Sequence, residues 1–139
     1  MPGGRGTLSR PVVLVVDDEL RVLELFQKVL REEGYEVLTA EDGLRALAVA
    51  AEARPDLIVL DVVMPGLDGM ATLRALRERG IPCDVVMVTA QGSLKTARQA
   101  MVLGAHDYIT KPFDLELLKW VLRSRLEGVA SERSAACAI

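Results

Sequence analysis

The amino-acid sequence predicts an α/β fold, a doubly wound, open parallel sheet of five strands connected by five helices. Two observations support this prediction. Five short apolar runs alternate with longer stretches of helical periodicity, which is the pattern of a parallel sheet with crossover helices. The chain has 139 residues, whereas a closed barrel built from eight such units needs about 250. The open sheet is therefore favoured.

The five predicted strands are too short to be helices and are mostly rich in Val, Ile and Leu, as expected for strands that are covered on both faces. They occupy residues 12–16, 35–39, 57–60, 84–88 and 107–110.

The first two predicted helices follow the first two strands. Apolar residues recur at helical spacing over residues 20–30, and Gly34 then tolerates the left-handed conformation that ends many helices. The second helix is rich in alanine, covers residues 44–53 and stops before Pro55.

The remaining three helices have recognisable boundary residues. The third begins near Asp68, a good N-cap residue, and ends at Gly80. The fourth covers residues 94–103 and stops at Gly104, and the fifth begins at Asp114 with leucine and valine on one face.

A single domain is predicted over residues 11–127, with a flexible N-terminus at 1–10. The segment "EGVASERSAACAI" follows the last periodic leucine and is small and polar, so residues 128–139 are predicted to be a poorly ordered tail. No apolar run reaches the roughly 18 residues of a membrane span, and no secretory signal follows the start of the chain. We therefore expect a cytoplasmic protein.

Charge and cysteine content exclude some functions. The net charge of −3 provides no field that would draw the chain onto nucleic acid or anionic lipid, so neither is expected as a direct partner. Cys83 and Cys137 lack the spacing of a metal or redox site and are predicted to be free thiols.

The candidate site residues stand where the predicted strands end. In open α/β sheets the ligand site lies outside the carboxyl ends of the strands. Asp17 and Asp18 follow the first apolar run, Asp61 the third, Thr89 the fourth and Lys111 the fifth. The second run ends in no comparable set of groups, as expected for an edge strand.

The chemistry of these groups indicates phosphoryl transfer. Carboxylates about 4 Å apart repel by about 4 kcal/mol per pair at an effective dielectric of 20, so a cation is expected among them. Hard oxygen ligands in a partly open cluster favour Mg²⁺. An acidic nucleophile, a divalent metal, the Lys111 ammonium and the Thr89 hydroxyl together suit a reaction that depends on positioning and charge neutralisation.

Five segments, in order, resemble a known family. They are "LVVDDE", "DLIVLDVVMPGLDG", "VVMVTA", "GAHDYITKPF" and an amphipathic last helix. From about Pro11 to Leu126 the chain resembles bacterial response-regulator receiver domains of the chemotaxis type, the phosphoacceptors of two-component systems. The resemblance implies a flavodoxin-like sheet with strand order 2-1-3-4-5.

The same resemblance implies roles for the acidic residues. Asp61 would be the phosphoacceptor, attacking the phosphorus of a phosphohistidine on a partner kinase. Asp18 and Asp61 would ligate Mg²⁺ directly, Asp17 would act through water, and the backbone carbonyl of Val63 would complete the protein ligands.

Further residues would bind the phosphoryl group or respond to it. Lys111 would pair with it, Thr89 would move to hydrogen-bond it, and the small Ala90 would leave it an access path. Tyr108 matches the family's switch aromatic, whose movement changes the surface formed by helix four, strand five and helix five. The Lys111–Pro112 peptide bond would be cis, as is usual in the family.

The expected function is a phosphorylation-activated signalling switch that catalyses only its own phosphorylation and dephosphorylation. Its partners would be a sensor histidine kinase or phosphotransfer protein, a downstream protein or linked output domain, and in some circumstances a second phosphorylated copy. The alternatives are a pseudo-receiver that only docks partners and a receiver excised from a longer transcriptional regulator. A turnover phosphatase is disfavoured because Val63 stands where a general acid would be needed. Val63 and Gln91 leave the phosphoryl lifetime open.

Several nearby residues have simpler interpretations. Glu19 is best explained as an acidic residue at a helix start. His106 is predicted to have a surface or packing role, and Trp120 and Phe113 to pack on the last helix.

Overall fold

The structure is a computed structural model that describes the backbone of residues 10–90 and 93–138 and the side chains as far as residue 127. The predicted flexible N-terminus therefore lies outside the described residues except for Arg10. Gln91 and the side chain of Cys137 also lie outside them. Cys83 is a buried free thiol, as predicted.

Strands and helices alternate throughout the described chain. The strands are β1 (Val12–Val16), β2 (Glu36–Ala40), β3 (Leu57–Asp61), β4 (Asp84–Thr89) and β5 (Asp107–Thr110). The helices are α1 (Leu20–Glu32), α2 (Gly43–Ala53), α3 (Gly69–Glu78), α4 (Leu94–Val102) and α5 (Leu115–Ala138). No helix in the described part of the chain is long and apolar enough to cross a membrane.

The five strands form one parallel sheet in the order β2-β1-β3-β4-β5, which confirms the predicted fold. The chain moves outward from β1 to the β2 edge and then returns to β3 on the other side of β1. The strand order therefore reverses at β1 and β3, whose carboxyl ends carry the predicted acidic residues.

Alternating side chains of the buried strands build one apolar core on each face of the sheet. In β1, Leu14 and Val16 belong to the core covered by α2, α3 and α4, whereas Val13 and Val15 belong to the core covered by α1 and α5. All four are almost fully buried. This two-sided burial explains why β1 is a continuous apolar run and leaves polar groups only beyond its end.

Local signals predicted most helix boundaries. The Asp68 carboxylate accepts a hydrogen bond of 2.8 Å from the Ala71 amide, which confirms its N-cap role. Gly34 has a φ of 95°, in the left-handed region that lets α1 end there.

The main difference is the end of α5, which continues to Ala138 instead of fading after Leu126. Loss of the apolar stripe removed the sequence signal, but the segment contains no proline, and extending an existing helix is easier than starting one. The helix therefore extends into the segment predicted to be a poorly ordered tail, and disorder of residues 128–139 in solution stays a prediction.

Candidate functional site

Two buried carboxylates meet at the carboxyl ends of the central strands. Asp17 directly follows β1 and Asp61 is the last residue of β3, and both are largely buried at 3% and 7% exposure. The Asp17 carboxylate accepts a hydrogen bond of 2.9 Å from the Glu19 amide. The Asp61 carboxylate accepts one of 3.1 Å from the Val63 amide. Each carboxylate is therefore oriented by a backbone donor two residues further along the chain.

Lys111 bridges these two carboxylates. Its Nζ donates to Asp17 Oδ2 at 3.1 Å and to Asp61 Oδ2 at 3.4 Å. The Lys111 backbone amide also donates to the carbonyl of Thr89 at 2.7 Å, which attaches the segment after β5 to the end of β4. A residue 50 positions from Asp61 in the chain is thus fixed beside it by sheet pairing.

The electrostatic balance of the cluster is shown by the pKa shifts. Burial raises the pKa of the Asp61 carboxyl, and the charge of Asp17 adds to this, while the Val63 amide and the Lys111 charge act in the opposite direction. Burial alone would lower the pKa of the Lys111 ammonium, but hydrogen bonds to and charges on Asp17 and Asp61 raise it overall. The site therefore contains more negative charge than its single ammonium fully compensates.

Asp18 completes an acidic cluster able to hold a metal ion. One carboxylate oxygen from each of Asp17, Asp18 and Asp61 lies within 4.8 Å of the others, and Asp18 is exposed whereas the other two are buried. Three hard oxygen donors with one side open to solvent fit an oxygen-preferring divalent cation that keeps several of its waters. The donor set therefore fits the predicted metal.

The remaining predicted phosphoryl-binding residues border the same end of the sheet. Thr89, the last residue of β4, is fully buried, and Ala90 directly after it is exposed. Val63 lies two residues beyond Asp61 with its side chain 48% exposed. Exposed side chains thus lie just beyond the ends of both β3 and β4.

Tyr108 lies further from the carboxyl ends of the strands than Thr89 does. It pairs with Met87, two residues before the Thr89 and Thr110 pair, and is partly buried against the core that α4 covers. Burial raises the pKa of its phenol. The peptide bond between Lys111 and Pro112 is cis, as the resemblance implied.

Gly69 is a site residue that the sequence interpretation missed. A Cβ at this position would lie 2.1 Å from the carbonyl oxygen of Asp61 and 2.7 Å from the Cα of Val62. The Gly69 amide also donates to the Val62 carbonyl at 2.9 Å. The first residue of α3 is thus packed directly against the backbone that carries Asp61. The glycine after the N-cap Asp68 was the available signal.

His106 has the structural role that was predicted for it. Its Nδ1 accepts a hydrogen bond of 3.1 Å from the Val85 amide, and its backbone amide donates to the Val85 carbonyl at 2.8 Å. Val85 lies near the beginning of β4, at the end of the sheet opposite the acidic cluster. Phe113 packs edge-on against Phe26 of α1, with ring centroids 6.0 Å apart. Trp120, in contrast, is 62% exposed, so its predicted packing role is at most partial.

Comparison with protein families identifies this arrangement. The family profile described as "Response regulator receiver domain" matches residues 13–123. The chain belongs to the response regulator receiver domain family. This membership confirms the resemblance drawn from the five sequence segments, and the acidic cluster fits the phosphorylation site of such domains.

Two mycobacterial relatives illustrate the similarity of this receiver domain. It is 39% identical over 131 residues to the probable transcriptional regulatory protein TcrX of Mycobacterium tuberculosis, covering 92% of the chain and 56% of the relative. It is 41% identical over 123 residues to the response regulator MprA of Mycobacterium bovis, covering 88% of the chain and 54% of the relative. The receiver domain thus spans about half the length of these relatives.

Solved structures show the same fold. The chemotaxis protein CheY4 of Vibrio cholerae has 36% identity and a TM-score of 0.77, covering 83% of this receiver domain and 98% of that chain. The beryllofluoride-activated N-terminal receiver domain of Klebsiella pneumoniae RstA has 32% identity and a TM-score of 0.78, covering 83% and 97%.

Proposed function

We propose that this receiver domain accepts a phosphoryl group on Asp61 from a phosphohistidine of a sensor kinase or phosphotransfer protein. The observation that carries the proposal is the position of the Asp61 carboxylate, which ends a central strand and shares the Lys111 ammonium with a second buried carboxylate. In the reaction a carboxylate oxygen of Asp61 forms a bond to phosphorus. The bond between phosphorus and the donor imidazole nitrogen breaks, and its electron pair remains on that nitrogen.

The residues around Asp61 support this role physically. Desolvation raises the pKa of the carboxyl, and a more basic oxygen is a better nucleophile when ionised. The Val63 amide holds Oδ1, so the direction of the carboxylate is set before a donor arrives. Lys111 reaches Asp61 Oδ2 and can neutralise charge on the transferred group.

The acidic cluster would hold Mg²⁺ through Asp18 and Asp61 directly, through Asp17 by way of water, and through the Val63 carbonyl. When bound, the metal supplies positive charge to the phosphoryl oxygens. Lys111 shares the two buried carboxylates with any such ion, so the ammonium and the metal together balance three acidic groups.

Phosphorylation would be transmitted through Thr89 and Tyr108 to the surface of α4, β5 and α5. The Thr89 carbonyl accepts a hydrogen bond from the Lys111 amide. A movement of Thr89 would therefore also displace the segment that follows β5. The small, exposed Ala90 would leave the phosphoryl group an access path. A phosphoryl group that favours one arrangement of these residues would shift a two-state equilibrium.

Partners and location follow from the same proposal. The domain would act in the cytoplasm, where kinases obtain phosphoryl groups from ATP. It would catalyse only its own phosphorylation and dephosphorylation. The chain spans about half the length of its mycobacterial relatives, and one of them is a probable transcriptional regulatory protein. Its output would therefore be a linked domain or a separate downstream protein. Phosphorylation-dependent homodimerisation is a further route to output.

Incubation with acetyl phosphate and Mg²⁺ tests the proposal by intact-protein mass spectrometry. The expected result is a mass increase of one phosphoryl group in the parent chain. No such increase is expected when EDTA is present during the incubation or when Asp61 is replaced in Asp61→Asn. The matched control is Asp42→Asn, an exposed N-cap at which asparagine also caps, and it should be phosphorylated like the parent chain. An unmodified parent chain would favour the pseudo-receiver alternative, and undiminished modification of Asp61→Asn would refute the assigned acceptor.

A further inference from the structure

A groove lies between α3 and α4. It encloses about 350 Å³. We refer to it as the α3–α4 groove, and it is lined by Met70, Arg74, Arg98, Gln99, Val102 and Leu103. None of these residues belongs to the proposed phosphorylation site or to the β5 and α5 parts of the proposed output face.

The floor of the α3–α4 groove is apolar and continuous with the core. Met70 and Leu103 are partly buried and pack against the core cluster under α2, α3 and α4. Val102, on the α4 side, is 86% exposed. Covering these side chains would remove apolar surface from water, which favours association.

The rim of the groove is basic. Arg74 comes from α3 and Arg98 from α4, both are exposed, and neither forms a salt bridge within the described part of the chain. Helix α4 carries Lys95 and Arg98 but no acidic residue, and the only acidic residue of α3 is Glu78. A basic rim in a chain of net charge −3 is a local feature and not a consequence of overall charge.

The helix that forms one wall is loosely held. Of the residues of α4 only Ala100 is buried, so the remainder of the helix contributes little to the core. The α4 N-cap Ser93 lies four residues after Thr89, at the end of the helix nearer the acidic cluster. A ligand wedged between α3 and α4 would therefore bias the element that the proposed switch must move.

We propose that the α3–α4 groove is a docking site for an acidic, amphipathic segment of a partner protein. Apolar side chains of that segment would cover Met70, Val102 and Leu103, and its carboxylates would pair with Arg74 and Arg98. Arginine suits this role because its planar guanidinium can donate two parallel hydrogen bonds to one carboxylate. The combination of an apolar floor and flanking charges matches an amphipathic helix laid into a groove. Phosphate groups alone would leave the apolar floor uncovered.

The test uses a synthetic 14-residue peptide of glutamate and leucine, with the leucines on one helical stripe, titrated into the ¹⁵N-labelled full chain without a phosphodonor. Saturable amide shifts are expected at Met70, Gln99, Val102 and Leu103. The double variant Arg74→Glu/Arg98→Glu should bind this peptide at least about tenfold more weakly, because two charge-assisted contacts become repulsive. It should instead bind a peptide in which lysine replaces glutamate.

A matched double reversal, Arg21→Glu/Arg45→Glu, alters two exposed arginines on α1 and α2 and should bind the glutamate peptide like the parent chain. The proposal is overturned if the glutamate peptide causes no saturable shifts in the groove, or if both double variants lose affinity equally. Tighter binding of a duplex DNA oligonucleotide to the same residues would also overturn it. Because no phosphodonor is present, failure here leaves the assignment of Asp61 unaffected, and failure of phosphorylation leaves this result unaffected.

Discussion

Replacement of Lys111 by methionine would test the electrostatic balance of the acidic cluster most directly. Methionine keeps an unbranched side chain of similar reach but removes the ammonium that lies 3.1 Å from Asp17 and 3.4 Å from Asp61. Coulomb's law at an effective dielectric of 20 makes each contact worth about 5 kcal/mol before desolvation is counted. Their loss would leave two buried carboxylates facing each other without a cation in the absence of metal.

The net cost is smaller than this gross attraction. The Lys111 side chain is 23% exposed, so water screens part of the interaction, and desolvation of the ammonium is relieved in the variant. Protonation of one carboxyl at pH 7 sets an upper limit of about 4 kcal/mol, since an ordinary carboxyl titrates near pH 4 and each unit is worth about 1.4 kcal/mol. We expect Lys111→Met to lower the free energy of unfolding by about 2–4 kcal/mol in EDTA.

Urea unfolding at pH 7, with EDTA or with Mg²⁺, measures this effect. Mg²⁺ should stabilise Lys111→Met more than the parent chain, because the ion no longer shares the carboxylates with an ammonium. Lys119→Met is the control, since Lys119 makes an exposed contact of 3.2 Å with Glu116 on α5 and should change stability by less than about 1 kcal/mol. A Lys111→Met chain as stable in EDTA as the parent, or one stabilised equally by Mg²⁺, would show that the Lys111 ammonium does not balance the two carboxylates.

Three further predictions concern the same end of the sheet. Because the pKa of Asp61 is raised on folding, its ionisation costs stability as pH rises above about 4, so Asp61→Asn should be more stable than the parent at pH 7. Chemical unfolding from pH 3 to 8 should show that this advantage disappears at the acid end, and an advantage that grew on acidification would contradict it. Asp18→Asn should raise metal-free stability by up to about 1 kcal/mol, because it removes one carboxylate from a cluster with excess negative charge while its exposure to water screens the repulsion. The same variant should lose most of the Mg²⁺-induced rise in melting temperature, and retention of that rise would exclude Asp18 as a ligand. Gly69→Ala places a methyl group 2.1 Å from the Asp61 carbonyl and should cost about 3 kcal/mol in urea unfolding and slow phosphorylation, and a neutral effect would mean that the α3 start can move freely.

Much of the site could be predicted because the ends of the strands can be recognised in the sequence, where the apolar runs stop. The apolar runs ending at Val16 and Leu60 indicate strands buried on both faces, and parallel strands present their carboxyl ends at one edge. The sequence therefore predicted which side chains share this edge, namely Asp17, Asp18, Asp61, Thr89 and Lys111. The burial of individual carboxylates could not be predicted in the same way. Asp17 and Asp18 are adjacent in sequence, but Asp17 is buried and Asp18 exposed.

The close packing of Gly69 on Asp61 and the groove between α3 and α4 were not predicted. Both depend on how a helix lies on the sheet and against its neighbour, and hydrophobic periodicity specifies which face of a helix is buried but not its distance from a particular backbone atom. The continuation of α5 beyond Leu126 was not predicted for a related reason, since the apolar stripe records packing and not helix formation itself.

The order of strands and helices and the residues that gather at the sheet edge could be predicted from the sequence, because both depend on local periodicity and on the direction of parallel strands. The family could be predicted because five short segments resemble it in order. Three relations became visible only in the folded chain. Lys111 bridges Asp17 and Asp61, Gly69 packs against the Asp61 backbone, and Arg74 and Arg98 line one groove. Those relations join residues from separate elements, and their distances depend on strand register and helix packing, which no single segment of the chain encodes.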